Sequence, residues 1–292
     1  MTWNCQQIVY GRIRKKFLKR LGIVAVSFIA IVVVVMIYAY SASEREFARQ
    51  YKVAETLSVS LPTDAAEIEE GHRLAHITGC THCHGANLAE PNAIDIPGIA
   101  RFVPPNISQI VPTTSDAQLV GLLRRGVKID GTSAWLMPAE MFRHLHDEDV
   151  ARILAWVRTV PASGEVAGKT SIHLMGRALV AMNQIKPVAR QIDEAKGEPA
   201  IPPGRGAYLV MNACSECHGQ DLNGVPMANA PSLVVVKGYS AEQFARLMHD
   251  GVGVGEREFE LMTPTAKARF SHLTADEVQA VYEFLQSRFE KT

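Results

Sequence analysis

Along the chain the apolar positions follow two regimes. From Leu21 to Ser43 no residue carries a formal charge, and Ile31-Val-Val-Val-Val-Met-Ile37 has no amphipathic break. A helix over that stretch is long enough to cross a bilayer core of about 30 Å. Beyond it, apolar residues recur at helical spacing in short segments separated by loops bearing glycine and proline. No convincing alternation of period two is present, Val234 to Val236 being a brief β-branched exception. The pattern predicts an all-α protein behind one membrane-spanning helix.

The amphipathic segments come in two matching sets. Ser115 opens a segment that ends at Gly126, and Ser240 opens one of the same length that ends at Gly251. Serine as N-cap and glycine just past the C-terminus satisfy a helix's orphan N–H and C=O groups. The same interval again separates each glycine from a methionine, Met137 in the first set and Met262 in the second. Asp147-Glu-Asp-Val150 then leads into a helix over 151–159, and Thr274-Ala-Asp-Glu277, a capping box, into one over 278–287. Upstream, Asp64-Ala-Ala-Glu67 caps a helix running towards Gly79, with 205–212 as its counterpart. The expected organisation is a basic segment over 1–20, a transmembrane anchor over 21–43, a stalk over 44–63, a first helical domain over 64–160, a linker over 161–203 and a second domain over 204–292. The cluster Pro199-Ala-Ile-Pro-Pro203 stiffens the linker.

Charge orients the anchor. The 30 basic and 30 acidic residues balance overall, but Arg12, Arg14, Lys15, Lys16, Lys19 and Arg20 precede the apolar run, and Glu44 and Glu46 follow it. The positive-inside rule puts the N-terminus in the cytoplasm and the remainder in the periplasm of a bacterial inner membrane. A cleaved signal peptide, with Ser41, Ala42 and Ser43 at the cleavage site, is the rival; its apolar region is usually shorter, about 7 to 15 residues. From residue 44 onward 24 basic and 30 acidic groups remain, a formal charge of −6, which excludes nucleic acid as the main partner. With 47% hydrophobic and 21% charged residues the chain is not disordered.

Each set contains one cysteine motif. The first reads Gly79-Cys-Thr-His-Cys-His-Gly85, and the second, at the equivalent place in its set, reads Ala213-Cys-Ser-Glu-Cys-His-Gly219. Two thiols three positions apart can add to the two vinyl groups of one haem, with the adjacent histidine under the iron. A zinc site built from Cys80, Cys83, Cys214 and Cys217 does not need the His-Gly that follows each pair. A thioredoxin-like pair needs a βαβ context, and disulfides leave His84 and His218 unexplained. Cys5 lies in the cytoplasmic tail as an incidental thiol.

The order helix, Cys-x-x-Cys-His, proline loop, helix, glycine, methionine loop, helix over about 65–160 and 201–289 resembles a membrane-anchored dihaem cytochrome c. That resemblance implies two covalently bound haem c groups with His/Met-ligated iron. His84 and His218 are the proximal ligands by position, and Pro105 and Pro231 match the family's proline whose carbonyl orients the proximal ring. For the sixth ligands, Met137 competes with Met141, His144 and His146, and Met262 with Met248, Met211, Met227 and His249; the register of the repeat favours Met137 and Met262. Trp156 and Phe284 match the family position that packs on the first helix, near Gly71 and Gly206. His82 reads as an exposed loop residue.

Two His/Met irons have no open coordination position, so the expected function is electron transfer between redox proteins rather than catalysis. The expected partners are a membrane dehydrogenase, a quinol-oxidising complex or a terminal oxidase, with the chain either a free carrier or a cytochrome subunit of such a complex. A dihaem peroxidase or thiosulfate-type dehydrogenase is the enzyme alternative; it requires one labile or unusual iron ligand.

Overall fold

The computed structural model describes residues 3–52, 59–166, 168–195, 197, 200–226 and 229–290, with side chains from residue 16 onward. Met227 and Pro199 lie outside the described residues, as does the side chain of Cys5. The molecule is mostly helical. Helix α1 (Trp3–Phe47) includes Lys16–Phe47, long and apolar enough to cross a membrane.

The first domain holds α2 (Ala65–Ile77), α3 (Cys80–His84), α4 (Ile107–Ile110), α5 (Asp116–Arg125), α6 (Ala139–Phe142) and α7 (Asp147–Thr159). Asp64 caps α2, its carboxylate accepting from Ala66 N at 2.9 Å and Glu67 N at 3.3 Å. Ser115 and Gln118 close a reciprocal capping box on α5, and Gly126 ends it in the left-handed conformation at φ 65°. Two helices follow in the segment between the domains, α8 (Leu174–Ala181) and α9 (Val188–Glu194). The second domain holds α10 (Arg205–Leu209), a π-turn over Val210–Cys214, α11 (Ser215–His218), a 3-10 turn over Leu233–Gly238, α12 (Ala241–Asp250), α13 (Met262–Ala268) and α14 (Ala275–Glu290). Ser240, Gln243 and Gly251 repeat the box and stop of α5 on α12.

In both domains the first and last helices cross at a glycine. A Cβ on Gly71 would overlap Arg152 O on α7, and one on Gly206 would overlap Ala280 O on α14. Trp156 stacks on His72 at 4.7 Å beside the first crossing, and Phe284 Cβ would lie 3.1 Å from a Gly206 Cβ at the second. One apolar core runs through both domains, including Leu74, Ile153 and Leu154 of the first and Leu209, Val281 and Leu285 of the second.

The all-α expectation needs a small amendment. Strands β1 (Ile94–Ile96) and β2 (Ala100–Phe102) form a hairpin, and β3 (Ser171–Ile172) adds to it antiparallel. Pro97-Gly98 makes the turn, with Gly98 at φ 74° and Ile99 N donating to Ile96 O at 3.0 Å. Val234 and Val235, the β-branched exception, are in the 3-10 turn instead. The segment read as a linker is folded onto the first domain. Asn106 Nδ2 donates to Ser163 O and Glu165 O, β3 joins the hairpin, α8 packs on α1, and α9 places Val188 and Ile192 against Ala139. Helix α1 runs on to Phe47, into the expected stalk, because Phe47 meets Trp135 edge-on at 5.0 Å.

Polar contacts join the domains. Arg73 donates to Glu277 at 2.7 Å, to Glu70 at 2.7 Å and to His272 O at 2.9 Å, and Arg205 donates to Glu277 at 2.5 Å. Burial pushes the Glu277 carboxyl up, but its hydrogen bonds from Arg73, Arg205 and Thr274 N prevail and bring it down to about 2. Tyr208 OH donates to Asp149 Oδ2 at 2.6 Å and accepts from His146 N at 3.1 Å.

Candidate functional sites

The first motif begins where α2 stops. Thr78 caps α2 through Leu74 O, Gly79 turns the chain at φ 87°, and α3 restarts at Cys80. Cys80 and Cys83 stand at i and i+3 on one turn and therefore share a face. All four motif cysteines are free thiols, Cys80, Cys83, Cys214 and Cys217. Burial raises the Cys80 and Cys217 pKa values, and pushes Cys83 up to about 11 and Cys214 to about 12, so the sulfurs are protonated at neutral pH. Among the described residues no three His, Cys, Asp or Glu side chains are grouped as a metal cage, and the thiols remain in two pairs.

The proximal histidines are held alike. His84 Nδ1 lies 2.9 Å from Pro105 O, and His218 Nδ1 lies 2.7 Å from Pro231 O. Since a carbonyl only accepts, Nδ1 carries the proton and Nε2 keeps its lone pair. Burial pushes both imidazoles towards the neutral form, against the carbonyl bonds. Between motif and proline, each loop turns at a leucine that the sequence reading passed over. Leu88 and Leu222 have φ of 58° and 65°, are each 1% exposed, and accept from Ile107 N and Leu233 N at 2.9 Å. A positive φ is uncommon for leucine, and the repeated His-Gly-x-x-Leu spacing was the available signal.

The methionines divide by burial. Met141 and Met248 are 2% and 4% exposed in the apolar core, whereas Met137 and Met262 are only partly buried at its edge. The other rivals have partners: His144 Nδ1 lies 2.9 Å from Ala200 O, His146 stacks on Tyr208, and His249 pairs with Asp250. Met211 sits in the π-turn. His82 is exposed, though on α3 rather than in a loop.

One side chain touches the flanks of both motifs. Arg269, 5% exposed, donates to Ile77 O at 3.1 Å ahead of the first, and to Ala213 O at 3.4 Å and Glu216 at 2.7 Å in the second. Its guanidinium fills the space beside Gly79, where a Cβ would lie 2.9 Å from Cζ. The repeat register aligns Arg269 with His144, so the duplication carried no sign of it.

Comparison with known families finds the cytochrome c model matching twice, over residues 68–161 and 204–288. The fructose dehydrogenase cytochrome subunit of Gluconobacter japonicus is 28% identical over 180 residues, 54% of this chain and 36% of that protein. The chain therefore matches about a third of the length of that relative.

Proposed function

The chain belongs to the cytochrome c family, and from that premise we propose that it is a membrane-anchored dihaem electron carrier working on the periplasmic side of a bacterial inner membrane. Two cytochrome c domains imply covalent haem c. The donor set fits one haem in each: a pair of unjoined thiols, an imidazole with Nδ1 tied to a carbonyl, and a part-buried thioether. Among the described residues, the buried side-chain oxygens without a hydrogen-bond partner, Glu140 Oε2 and Asn212 Oδ1, also flank these groups in sequence.

In this reading Cys80, Cys83, Cys214 and Cys217 form the thioether links, and His84 and His218 ligate through Nε2. Pro105 and Pro231 fix the tautomer and plane of those rings, and Met137 and Met262 are the sixth ligands. The haem irons supply one-electron oxidation and reduction. A thioether from Met137 or Met262 would favour the ferrous state relative to a second histidine, and a site so ligated would pass electrons without binding substrate. Arg269, touching both motif flanks, keeps the two sites adjacent.

The observation that carries the proposal is the matched pair of histidine-to-proline carbonyl bonds beside matched thiol pairs. Its test is a haem count on the purified protein. Two haems per chain should resist acid-acetone extraction, and Cys80→Ser with Cys83→Ser should halve them; extractable haem, or one haem per chain, overturns the proposal.

A second reading rests on the similarity to a dehydrogenase cytochrome subunit: the chain accepts electrons from a membrane dehydrogenase as part of its complex. Co-purification of a dehydrogenase from mild-detergent extracts supports the subunit form, and purification of the chain alone supports the free carrier.

A further inference from the structure

Helix α8 turns an apolar face outward. Leu174, Ala178 and Met182 follow each other at i, i+4 and i+8 with Met175 beside them, and Leu174, Met175 and Met182 are 55%, 59% and 58% exposed. The opposite side is occupied: Val180 is buried, and a Cβ on Gly176 would overlap Ile99 O in the β1–β2 turn. A surface helix surrounded by water has the reverse polarity, with its apolar stripe inward and polar groups outward. Exposed apolar patches mark a surface that meets something other than water.

The position of α8 says what that is. It packs on the last turns of α1, where Ala39 and Ser43 are buried, and Arg177 donates to Ser43 Oγ at 3.0 Å and to Glu44 at 2.6 Å. The same guanidinium lies over the Tyr40 ring at 4.2 Å. A bilayer core takes about 20 helical residues, so a span starting after Arg20 leaves the hydrocarbon near Tyr40. The height of α8 is therefore that of the outer headgroup boundary, where short amphipathic helices lie with their apolar side in the acyl chains.

We infer that α8 is a membrane-surface element: Leu174, Met175 and Met182 enter the outer boundary of the lipid bilayer and seat the first domain on it. The inference rests on the reading of α1 as a retained anchor. So short a helix would partition weakly alone, but the anchor already holds it at the surface, so insertion is effectively intramolecular. Arg177 stays neutralised by Glu44 while the apolar face is lipid-bound. The first haem site is then held at a set height and orientation instead of swinging on a stalk.

The test uses the full holoprotein in nanodiscs of phosphatidylethanolamine and phosphatidylglycerol. Nitroxide labels are attached singly at Met175→Cys, Met182→Cys, Tyr38→Cys and Asp276→Cys in a Cys5→Ser background, with haem occupying the motif thiols. Relaxation by oxygen, which concentrates in lipid, is compared with relaxation by a water-soluble nickel chelate. Labels at 175 and 182 should lose chelate relaxation as the Tyr38 label does, while the Asp276 label keeps it. If 175 and 182 behave like 276 while 38 reports lipid, the α8 inference is overturned and the anchor stands. If 38 also reports water, the anchor reading falls and the α8 inference with it.

Discussion

Among single residues, Met137 and Met262 at the edge of the core and Met141 and Met248 within it allow the proposed iron ligation to be told apart from packing. Replacing Met137 or Met262 by alanine should each remove about half of the weak near-infrared sulfur-to-iron band of the oxidised protein, with haem still attached, because the thioether links do not depend on the sixth ligand. Met141→Ala should leave the band intact and cost about 2 to 5 kcal/mol of stability, the range for truncating a buried methionine, since its side chain lies in the core. Loss of the band in Met141→Ala with retention in Met137→Ala would reverse the assignment. Arg269 calls for a different readout. With haem at both motifs as proposed, a buried guanidinium between them would stabilise the reduced state of each, so Arg269→Met should lower both midpoint potentials and, by leaving Ile77 O and Ala213 O without their donor, reduce stability by about 1 to 3 kcal/mol. A variant that loses stability at unchanged potentials would reduce Arg269 to a structural strut. The leucines and the arginine differ in how far sequence reading could reach them. Leu88 and Leu222 repeat in register and could have been found, whereas Arg269 occurs once and acts on residues 56 and 192 positions away.

At the level of elements, what was legible was what is local. Ser115 with Gly126 and Ser240 with Gly251 satisfy their own helix ends, so the sequence alone located α5 and α12. The hairpin was not legible by alternation, since β1 and β2 are three residues each and gain support from β3, which comes only after the whole first domain; only Pro97-Gly98 announced it. The interdomain ion cluster left no pattern at all, because Arg73 and Glu277 are 204 positions apart. Two consequences belong at this scale. Gly71→Ala and Gly206→Ala should each force apart a first and last helix, costing about 1 to 3 kcal/mol or more in thermal or denaturant unfolding, since the obstructing atoms are backbone; unchanged unfolding would mean the crossings are loose. The docking of α2 against α14 should also weaken in acid. Glu277 is depressed to about 2, so the stability it adds is full above its ordinary carboxylate value and is lost as pH falls towards 2. His76, stacked on His272 at 4.0 Å, is pushed down to about 4 by burial and then by His272 and His72, so protonation of the unfolded chain below the ordinary histidine value acts in the same direction. Scattering should therefore detect separation of the domains as pH is lowered from 6.5, the ordinary histidine value, and Glu277→Gln should bring that separation to higher pH.

For the whole molecule the decisive matter is whether the apolar helix is a detachable leader or part of the folded body. A leader ending at residues 41–43 would contribute nothing to the mature domains. Here Ala39 and Ser43 are buried, Arg177 reaches Ser43, Glu44 and the Tyr40 ring, and Phe47 packs on Trp135 while Glu46 faces Arg190 at 3.5 Å. These contacts also explain why the segment over 161–203 folds back: β3 completes a sheet of the first domain, and α8 clamps the end of α1. Cutting at residue 44 would expose the α1-facing side of α8 and remove the ring under a partly buried cation, with a cation–π interaction alone contributing about 0.5 to 2 kcal/mol. A soluble variant starting at Glu44 should therefore bind both haems yet melt at a lower temperature than the full chain in nanodiscs, and a variant starting at Ala48, lacking Phe47 as well, should melt lower again. N-terminal sequencing of the mature protein should place its first residue before Leu21. A mature chain beginning at residues 42–44, with a melting temperature no lower than that of the full chain, would make α1 a leader and leave α8 to be covered by something other than the bilayer.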